Sequence, residues 1–483
     1  MCKTRSLKWI SWIIFSILAA YIISCAVNPV TGKRELMLLS EADEIALGQQ
    51  SDQEIIKMYG EYPDETLTQF ISQLGTQMAK ISHRPQLNYQ FRLLDTPVIN
   101  AFAVPGGYVY ITRGILAYLN NEAEFAGVLG HEIGHITARH SAKQYSKAQL
   151  AQLGLGLGVL LSDEFARFAG LAQTGLSLLF LKFSRDAERQ ADQLGVEYST
   201  KVGYDAREMA NFFETLERMQ PAGGGGLPDW LSTHPNPAER VKAIRKLALE
   251  WQQKIPNPNL KINRNAYLRR LGGLVYGDDP RQGYVEGNMF YHPTLKFQFP
   301  TPAGWKVINN PTQVQIVNST EDAAILFTIA PQSNPADAAQ AFITEANAQL
   351  VDATATKVNG LDARKVISDI ATQSSVLRIL SYFIRYKGTV YVFHGYTDRN
   401  SFGNFTTEFQ RTMTRFRPLN DPAKINVKPV RLFIQKVQRK GTVRDVLKSL
   451  KVPDNQLEEI ALINGVRLTD TLEAGTLIKI IKK

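Results

Sequence analysis

Asn121-Glu122-Ala123-Glu124-Phe125-Ala126-Gly127-Val128-Leu129-Gly130-His131-Glu132-Ile133-Gly134-His135 is the stretch on which the reading of this sequence turns. Asn121 followed by Glu124 is an N-cap pattern, so the spacing predicts a helix that starts there and runs through Phe125, Val128 and Leu129 into His131. Side chains four apart on a helix share a face, so His131 and His135 converge on one point and Glu132 is offset along the same side. Two imidazoles at that spacing with a carboxylate between them are the ligand pair and the base of a zinc hydrolase. A hydrolytic zinc takes three protein ligands and keeps one position for a water, whose proton Glu132 would accept.

The third ligand has to come from elsewhere in the chain. His140 lies nine residues beyond His131, about half a turn away on a continuing helix, which directs it elsewhere. Patterns that take a third histidine from the same segment need a glycine where Ala138 stands and one more residue of spacing, so that class is disfavoured. Glu188 and Asp192 offer a better answer. Ser184 can cap a second helix on which the two acids fall four apart, with Glu188 toward the metal and Asp192 toward the second ring nitrogen of a ligand histidine. The same spacing also fits an exposed acidic pair held by Arg185 and Arg189.

Working outward, the N-terminus has the order of a secretory signal: Lys3, Arg5 and Lys8 precede an uncharged apolar run from Trp9 to Ser24. That run is shorter than the ~20 apolar residues of a membrane span. Residues 1–24 are therefore expected to be a signal peptide. Ile22-Ile23-Ser24-Cys25 resembles a bacterial lipobox, and Cys2, the only other cysteine, lies in the leader, so Cys25 is expected to carry lipid rather than a disulfide. Ala26 after it points to the outer membrane. The formal charge is +10, but an exported protein does not meet nucleic acid, which leaves anionic lipid or cell-wall polymer as partners, or equally a diffusely basic surface with no specific ligand.

With 483 residues, 44% hydrophobic and 21% charged, the chain is globular and too long for one core. The expected class is α+β. Residues 25–255 should form a mainly helical metallopeptidase domain with a small sheet, in which Asn100-Ala101-Phe102-Ala103-Val104 and Tyr108-Val109-Tyr110-Ile111-Thr112 make a hairpin around Pro105-Gly106-Gly107. Residues 256–293 read as a linker because of Pro256 and Pro258. Residues 294–420 read as a second α+β domain with no motif that names a chemistry, and 428–483 as a small βααβ domain. The apolar run Leu153 to Phe180, broken by Gly and by Asp163-Glu164, reads as packing between the two zinc helices, with a lid or a membrane-touching hairpin as the alternatives.

Three ordered motifs carry a resemblance. His131-Glu132-Ile133-Gly134-His135 is followed by Ser184-Arg185-Asp186-Ala187-Glu188-Arg189-Gln190-Ala191-Asp192, and then by Ser232-Thr233-His234-Pro235-Asn236-Pro237-Ala238-Glu239-Arg240. Over about residues 35–250 the chain resembles the gluzincin family of the CAAX prenyl endopeptidases and HtpX, in its periplasmic lipoprotein branch. The resemblance implies a zincin-like fold, one zinc ion, Glu188 as third ligand and Glu132 as general base. It also implies Asn100, Ala101, Phe102 and Ala103 as the strand that aligns a peptide substrate. His234 is implied to approach the metal or the developing oxyanion, and Gly223-Gly224-Gly225-Gly226 upstream would let it move and switch the site off. Arg240 is left with two roles, oxyanion donor or brace. Gly441 to Ile480 resembles a LysM module, which implies peptidoglycan, although Val446 and Leu447 replace the aromatic usual near its first helix.

The expected function is a zinc endopeptidase acting on misfolded or assembling envelope proteins. The rivals are an inactive zinc-bound scaffold or chaperone held closed by His234, and a cell-wall enzyme.

Overall fold

The structure is a computed structural model that describes residues 25–152, 183–219, 229–234, 237–255, 259–372 and 375–483. Residues 1–24, expected to be a signal peptide, the apolar run 153–180 and the glycines 223–226 lie outside the described residues. The chain divides into two compact units, one containing Gly60–Gly277 and Arg431–Lys482 and the other Asp278–Val430.

The first unit opens with a short hairpin, β1 (Cys25–Val27) paired to β2 (Arg34–Leu36). Helix α1 (Glu41–Tyr59) starts on a reciprocal Ser40/Asp43 capping box, and α2 (Glu65–Lys80) on Asp64. Strands β3 (Gln90–Leu94), β4 (Ala101–Val104) and β5 (Tyr108–Thr112) form a three-stranded sheet in the order β3-β5-β4, so β4 lies at its edge. The β4–β5 hairpin sits where the sequence places it. Its turn needs glycine twice over: Gly106 has φ 83, and a Cβ there would lie 2.8 Å from the Glu44 carbonyl oxygen.

Helices α3 (Arg113–Tyr118), α4 (Glu122–Thr137), α5 (His140–Gln152), α6 (Arg185–Lys201), α7 (Glu208–Arg218), α8 (Asp229–Thr233), α9 (Pro237–Lys254) and α10 (Arg264–Arg270) follow. All 16 residues of α4 are buried, so the helix is the axle of the unit. It crosses α6 backbone to backbone, because both helices carry glycine at the crossing. A Cβ on Gly195 would meet the His131 nitrogen at 3.0 Å, and one on Gly130 would meet the Gly195 carbonyl oxygen at 3.0 Å.

In the second unit, β6 (Tyr284–Glu286), β7 (Met289–His292) and β8 (Phe297–Pro300) form a four-stranded sheet with the short strand Arg417–Pro418. A seven-stranded antiparallel sheet contains β9 (Lys306–Asn310), β10 (Gln313–Val317), β11 (Ala323–Ala330), β12 (Gln349–Val358), β13 (Leu361–Ala371), β14 (Val376–Tyr386) and β15 (Thr389–Asp398). Its order is β12-β13-β14-β15-β11-β10-β9. The longer helices are α11 (Pro335–Glu345) and α12 (Phe402–Met413), β16 is Arg417–Pro418, and a single helical turn covers Pro422–Ile425. Period-two alternation separates two cores: Phe393 joins Phe297, Phe299, Phe327 and Phe416 on one face, while Val392 joins Val366 and Phe383 against α11 on the other. Lys387 and Gly388, with φ 49 and 82, make the tight β14–β15 turn that the sequence predicts.

The 256–293 stretch, read from its prolines as a linker, holds α10 and the strands β6 and β7. Tyr267, Leu268, Leu271 and Leu274 are buried there, and their spacing is helical. The βααβ segment is present as β17 (Arg431–Lys436), α13 (Val443–Ser449), α14 (Leu457–Ile463) and β20 (Leu477–Lys482), with the short pair β18 (Gly441–Thr442) and β19 (Thr471–Leu472). It belongs to the first unit, where Arg431 bridges to Val275. The α+β class holds. Among the described residues no helix is long and apolar enough to cross a membrane.

The glycine crossing gives the first prediction. Gly195→Ala forces α4 and α6 apart at a backbone contact, and such overpacking typically costs about 1–3 kcal/mol, read as a lower denaturant midpoint at unchanged slope. An unchanged midpoint would show that the crossing is slack.

Candidate metal centre

Helix α4 exists because Asn121 accepts the Glu124 N–H and the helix buries every face. It presents His131 and His135 toward α6, whose own cap is Ser184, accepting from the Ala187 N–H at 3.3 Å. Because the two helices touch at Gly130 and Gly195, Glu188 reaches both imidazoles: its Oε1 lies 3.4 Å from His135 Nε2 and its Oε2 3.7 Å from His131 Nε2. His234, just past α8, completes the group, with Nδ1 2.9 Å from Glu188 Oε1 and 3.3 Å from His131 Nε2. One ligand atom from each of His131, His135, Glu188 and His234 lies within 4.8 Å of every other, and all four residues are buried.

Hydrogen bonding fixes which ring nitrogens are bare. His131 Nδ1 stands 3.0 Å from Asp192 Oδ1, and a carboxylate only accepts, so Nδ1 carries the proton and Nε2 has a free lone pair. For His135 the partner is another histidine. His140 Nε2 lies 3.0 Å from Gln190 Oε1 and its Nδ1 lies 3.0 Å from His135 Nδ1. Burial pushes His140 down to about 4 and keeps it neutral, with one ring proton. That proton sits on Nε2 facing the amide oxygen, so Nδ1 accepts from His135 Nδ1–H and the His135 Nε2 lone pair is bare. Burial likewise lowers the pKa of His131, and that of His135 still further.

Two bare Nε2 atoms therefore face each other at 3.0 Å in a buried site. Glu132 Oε1 is buried without a hydrogen-bond partner, and both Glu188 oxygens are turned toward the same point. Lone pairs and carboxylate oxygens crowded in this way are an arrangement for a cation. The separations suit zinc: bonds of about 2.0–2.2 Å in a tetrahedron place ligand atoms about 3.4 Å apart. Nitrogen and carboxylate donors are also zinc's usual set, so the residues present fit the metal.

The surrounding charges are consistent with this. Burial opposes ionisation of Glu188, but the charges of His234 and Arg240 outweigh it and hold the carboxyl well below its usual range. Asp192 is lowered too, against burial, by Arg240. Arg240 Nε and Nη2 donate to the two Asp192 oxygens at 2.8 and 2.6 Å, and Nη1 is 2.8 Å from Glu188 Oε2. Its guanidinium also lies 4.4 Å from the Phe213 ring. Burial opposes protonation of His234, but Glu188 and Glu132 raise its pKa. Burial pushes Glu132 up to about 8, and a cation at the cluster acts in the opposite direction.

The structure thus brings together His131, Glu132, His135, Glu188, Asp192, His234 and Arg240. Ala101, Phe102 and Ala103 lie in edge strand β4, packed on α4, with Asn100 just before it. The backbone N–H of Trp230 donates to the Ile99 carbonyl at 3.2 Å, which ties the His234 segment to the start of that strand. Phe183, 4.1 Å from the His135 ring, and Trp230, stacked on His234 at 4.7 Å, escaped the sequence reading. His140 was read as pointing elsewhere; it is off the ligand cluster, yet it returns to the far side of His135 because α4 ends at Thr137 and Arg139 adopts φ 57. No glycine marks that turn. Arg139 is held there by Glu44 and by the Leu39 carbonyl, and Arg84 binds both Glu44 and the Ile136 carbonyl.

Residues 65–248 match the model of Peptidase family M48. The chain is 32% identical over 226 residues to the Beta-barrel assembly-enhancing protease of Yersinia pestis, covering 45% of each chain. It is 30% identical over 241 residues to the protein of that name from Escherichia coli (strain K12), covering 47% of this chain and 48% of that one. To the Mitochondrial metalloendopeptidase OMA1 of Arabidopsis thaliana it is 34% identical over 196 residues, covering 40% and 37%. The chain spans less than half the length of each of these relatives. The matched residues 65–248 include the whole buried cluster of His131, His135, Glu188 and His234, and the relatives are named as proteases.

The histidine relay carries the second prediction. His140→Ala removes the acceptor that fixes the His135 tautomer, and losses of this kind typically weaken metal binding roughly 10- to 100-fold, measured by chelator competition. Affinity equal to the parent protein's would mean that His135 is oriented without it.

Proposed function

We propose that this chain is a zinc-dependent endopeptidase of the bacterial cell envelope that hydrolyses extended segments of misfolded or assembling envelope proteins. The observation that carries the reading is the convergence of His131, His135 and Glu188 beside Glu132, a buried carboxyl with an unpartnered oxygen. The relatives named for β-barrel assembly support the envelope setting. Export by residues 1–24 and lipid on Cys25 at the periplasmic face of the outer membrane belong to the same proposal and rest on the sequence pattern.

A peptide entering as an added strand along Asn100–Ala103 would be held extended by backbone hydrogen bonds, with one carbonyl carried toward the cluster at a fixed register. When bound, zinc supplies Lewis acidity toward a water and a carbonyl oxygen. Glu132 accepts the attacking water's proton and returns it to the leaving amine as the C–N bond breaks. Asp192 keeps His131 in the right tautomer, and Arg240 braces Asp192 and Glu188, which favours the bracing role over that of oxyanion donor. Val446 and Leu447 are buried, so a peptidoglycan contact through 428–483 would use other residues.

The decisive comparison is the purified protein against Glu132→Gln on an unfolded protein substrate. The variant is expected to retain zinc and to lose roughly 10²- to 10⁴-fold in rate, the usual contribution of a general base. Chelation should abolish parental cleavage, and zinc should restore it. Equal cleavage by parent and variant refutes the mechanism.

A second reading has its own observation. With His234 in place the cluster holds four protein groups, the number found in closed zinc sites, whereas a hydrolytic site uses three. His234, stacked on Trp230 and tied through α8 to Ile99, would then be a latch over both the fourth position and the substrate strand. His234→Ala is expected to raise the initial rate severalfold on a short unfolded peptide. A fall in kcat would assign His234 to the reaction instead.

A further inference from the structure

Lys479 has no exposed surface. A buried ammonium persists only where its donors are satisfied and its charge is countered. Its Nζ donates to the carbonyls of Ala117 at 2.7 Å and Leu119 at 2.8 Å. Strand β20 is locked in register around it: the Lys479 N–H donates to Asn464 Oδ1 at 2.8 Å, and Asn464 Nδ2 donates back to the Lys479 carbonyl at 2.8 Å.

Ala117 and Leu119 lead directly into the cap of the metal helix. One turn on, Glu124 is buried, accepting from the Asn120 N–H at 2.7 Å and from Asn121 Nδ2 at 3.1 Å. Burial pushes its carboxyl up to about 8, against the Asn120 hydrogen bond and the charges of Lys479 and Arg264, while Glu208 adds to the rise. Lys479 is lowered by burial and supported by Glu124. Burial opposes the charge of both, and each favours the charged form of the other against it; one comes from α4 while the other comes from the segment after the second unit.

We propose that Lys479 is a positioning residue for the metal site: by gripping the Ala117 and Leu119 carbonyls and countering Glu124, it fixes the start of the helix that carries His131 and His135. The far end of that helix is fixed by Glu44, Arg84 and Arg139. A 16-residue rod pinned at both ends and crossing α6 at a glycine contact cannot slide without moving both histidines away from Glu188. Segment Arg431–Lys482 is therefore part of the metal-holding machinery rather than a module attached to it. This inference rests on the zinc reading.

The test is a double-variant cycle in the full chain, with zinc affinity from chelator competition as the readout. Lys479→Met leaves Glu124 buried without its cation, and zinc binding is expected to weaken about tenfold or, in the extreme, to be lost with the fold. Adding Glu124→Gln removes the stranded charge and should recover most of that loss, a rescue that a merely space-filling lysine would not show. The proposal is overturned if Lys479→Met binds zinc as the parent does, or if Glu124→Gln brings no recovery in affinity or folding. A parent protein that takes up no zinc overturns the metal reading itself, and this inference with it.

Discussion

Two imidazole nitrogens with bare lone pairs, buried 3.0 Å apart beside a carboxylate, are held in mutual repulsion by the rest of the fold. That constraint organises the first unit. It requires helices that meet at glycine so that groups on both can reach one point, and it requires each histidine to be denied rotation. Asp192 does this for His131 with an anion, and His140 does it for His135 with a neutral ring. The unequal partners leave the two ligands with different basicity: the carboxylate-bonded ring is the stronger donor.

Much of this was legible in the sequence because it is local and periodic. The i, i+4 spacing of His131 and His135, the Asn121 cap and the Ser184 cap each specify a helix face within a few residues. The β4–β5 hairpin was legible for the same reason, since Pro105-Gly106-Gly107 can only turn. What escaped was set by distant parts of the chain. Arg139 adopts a left-handed conformation without being glycine or asparagine, because Glu44 and the Leu39 carbonyl hold it, and no residue near it announces the break that returns His140 to His135. Prolines at 256 and 258 suggested a linker, and they do mark the end of α9. The helical spacing of Tyr267, Leu268, Leu271 and Leu274 beyond them was the overlooked counter-indication.

The candidate site also shows why identity of ligand and identity of state are separate questions. The ligand set follows from α4 and α6, whose packing is glycine-tight. His234 is placed by the Trp230 stack, the Trp230–Ile99 hydrogen bond, the hydrogen bond from Phe183 N–H to the Thr233 carbonyl and its own 2.9 Å contact with Glu188.

The first unit is also discontinuous, its pieces separated by the whole of Asp278–Val430. Lys479 meets Ala117 across a sequence separation of 362 residues, so the native pairings there are of very long range. Closing such contacts is slow, and on a ribosome it must wait until the intervening unit has been made. The contacts that Lys479 makes with Ala117 and Leu119 can therefore form only after the intervening residues have been synthesised.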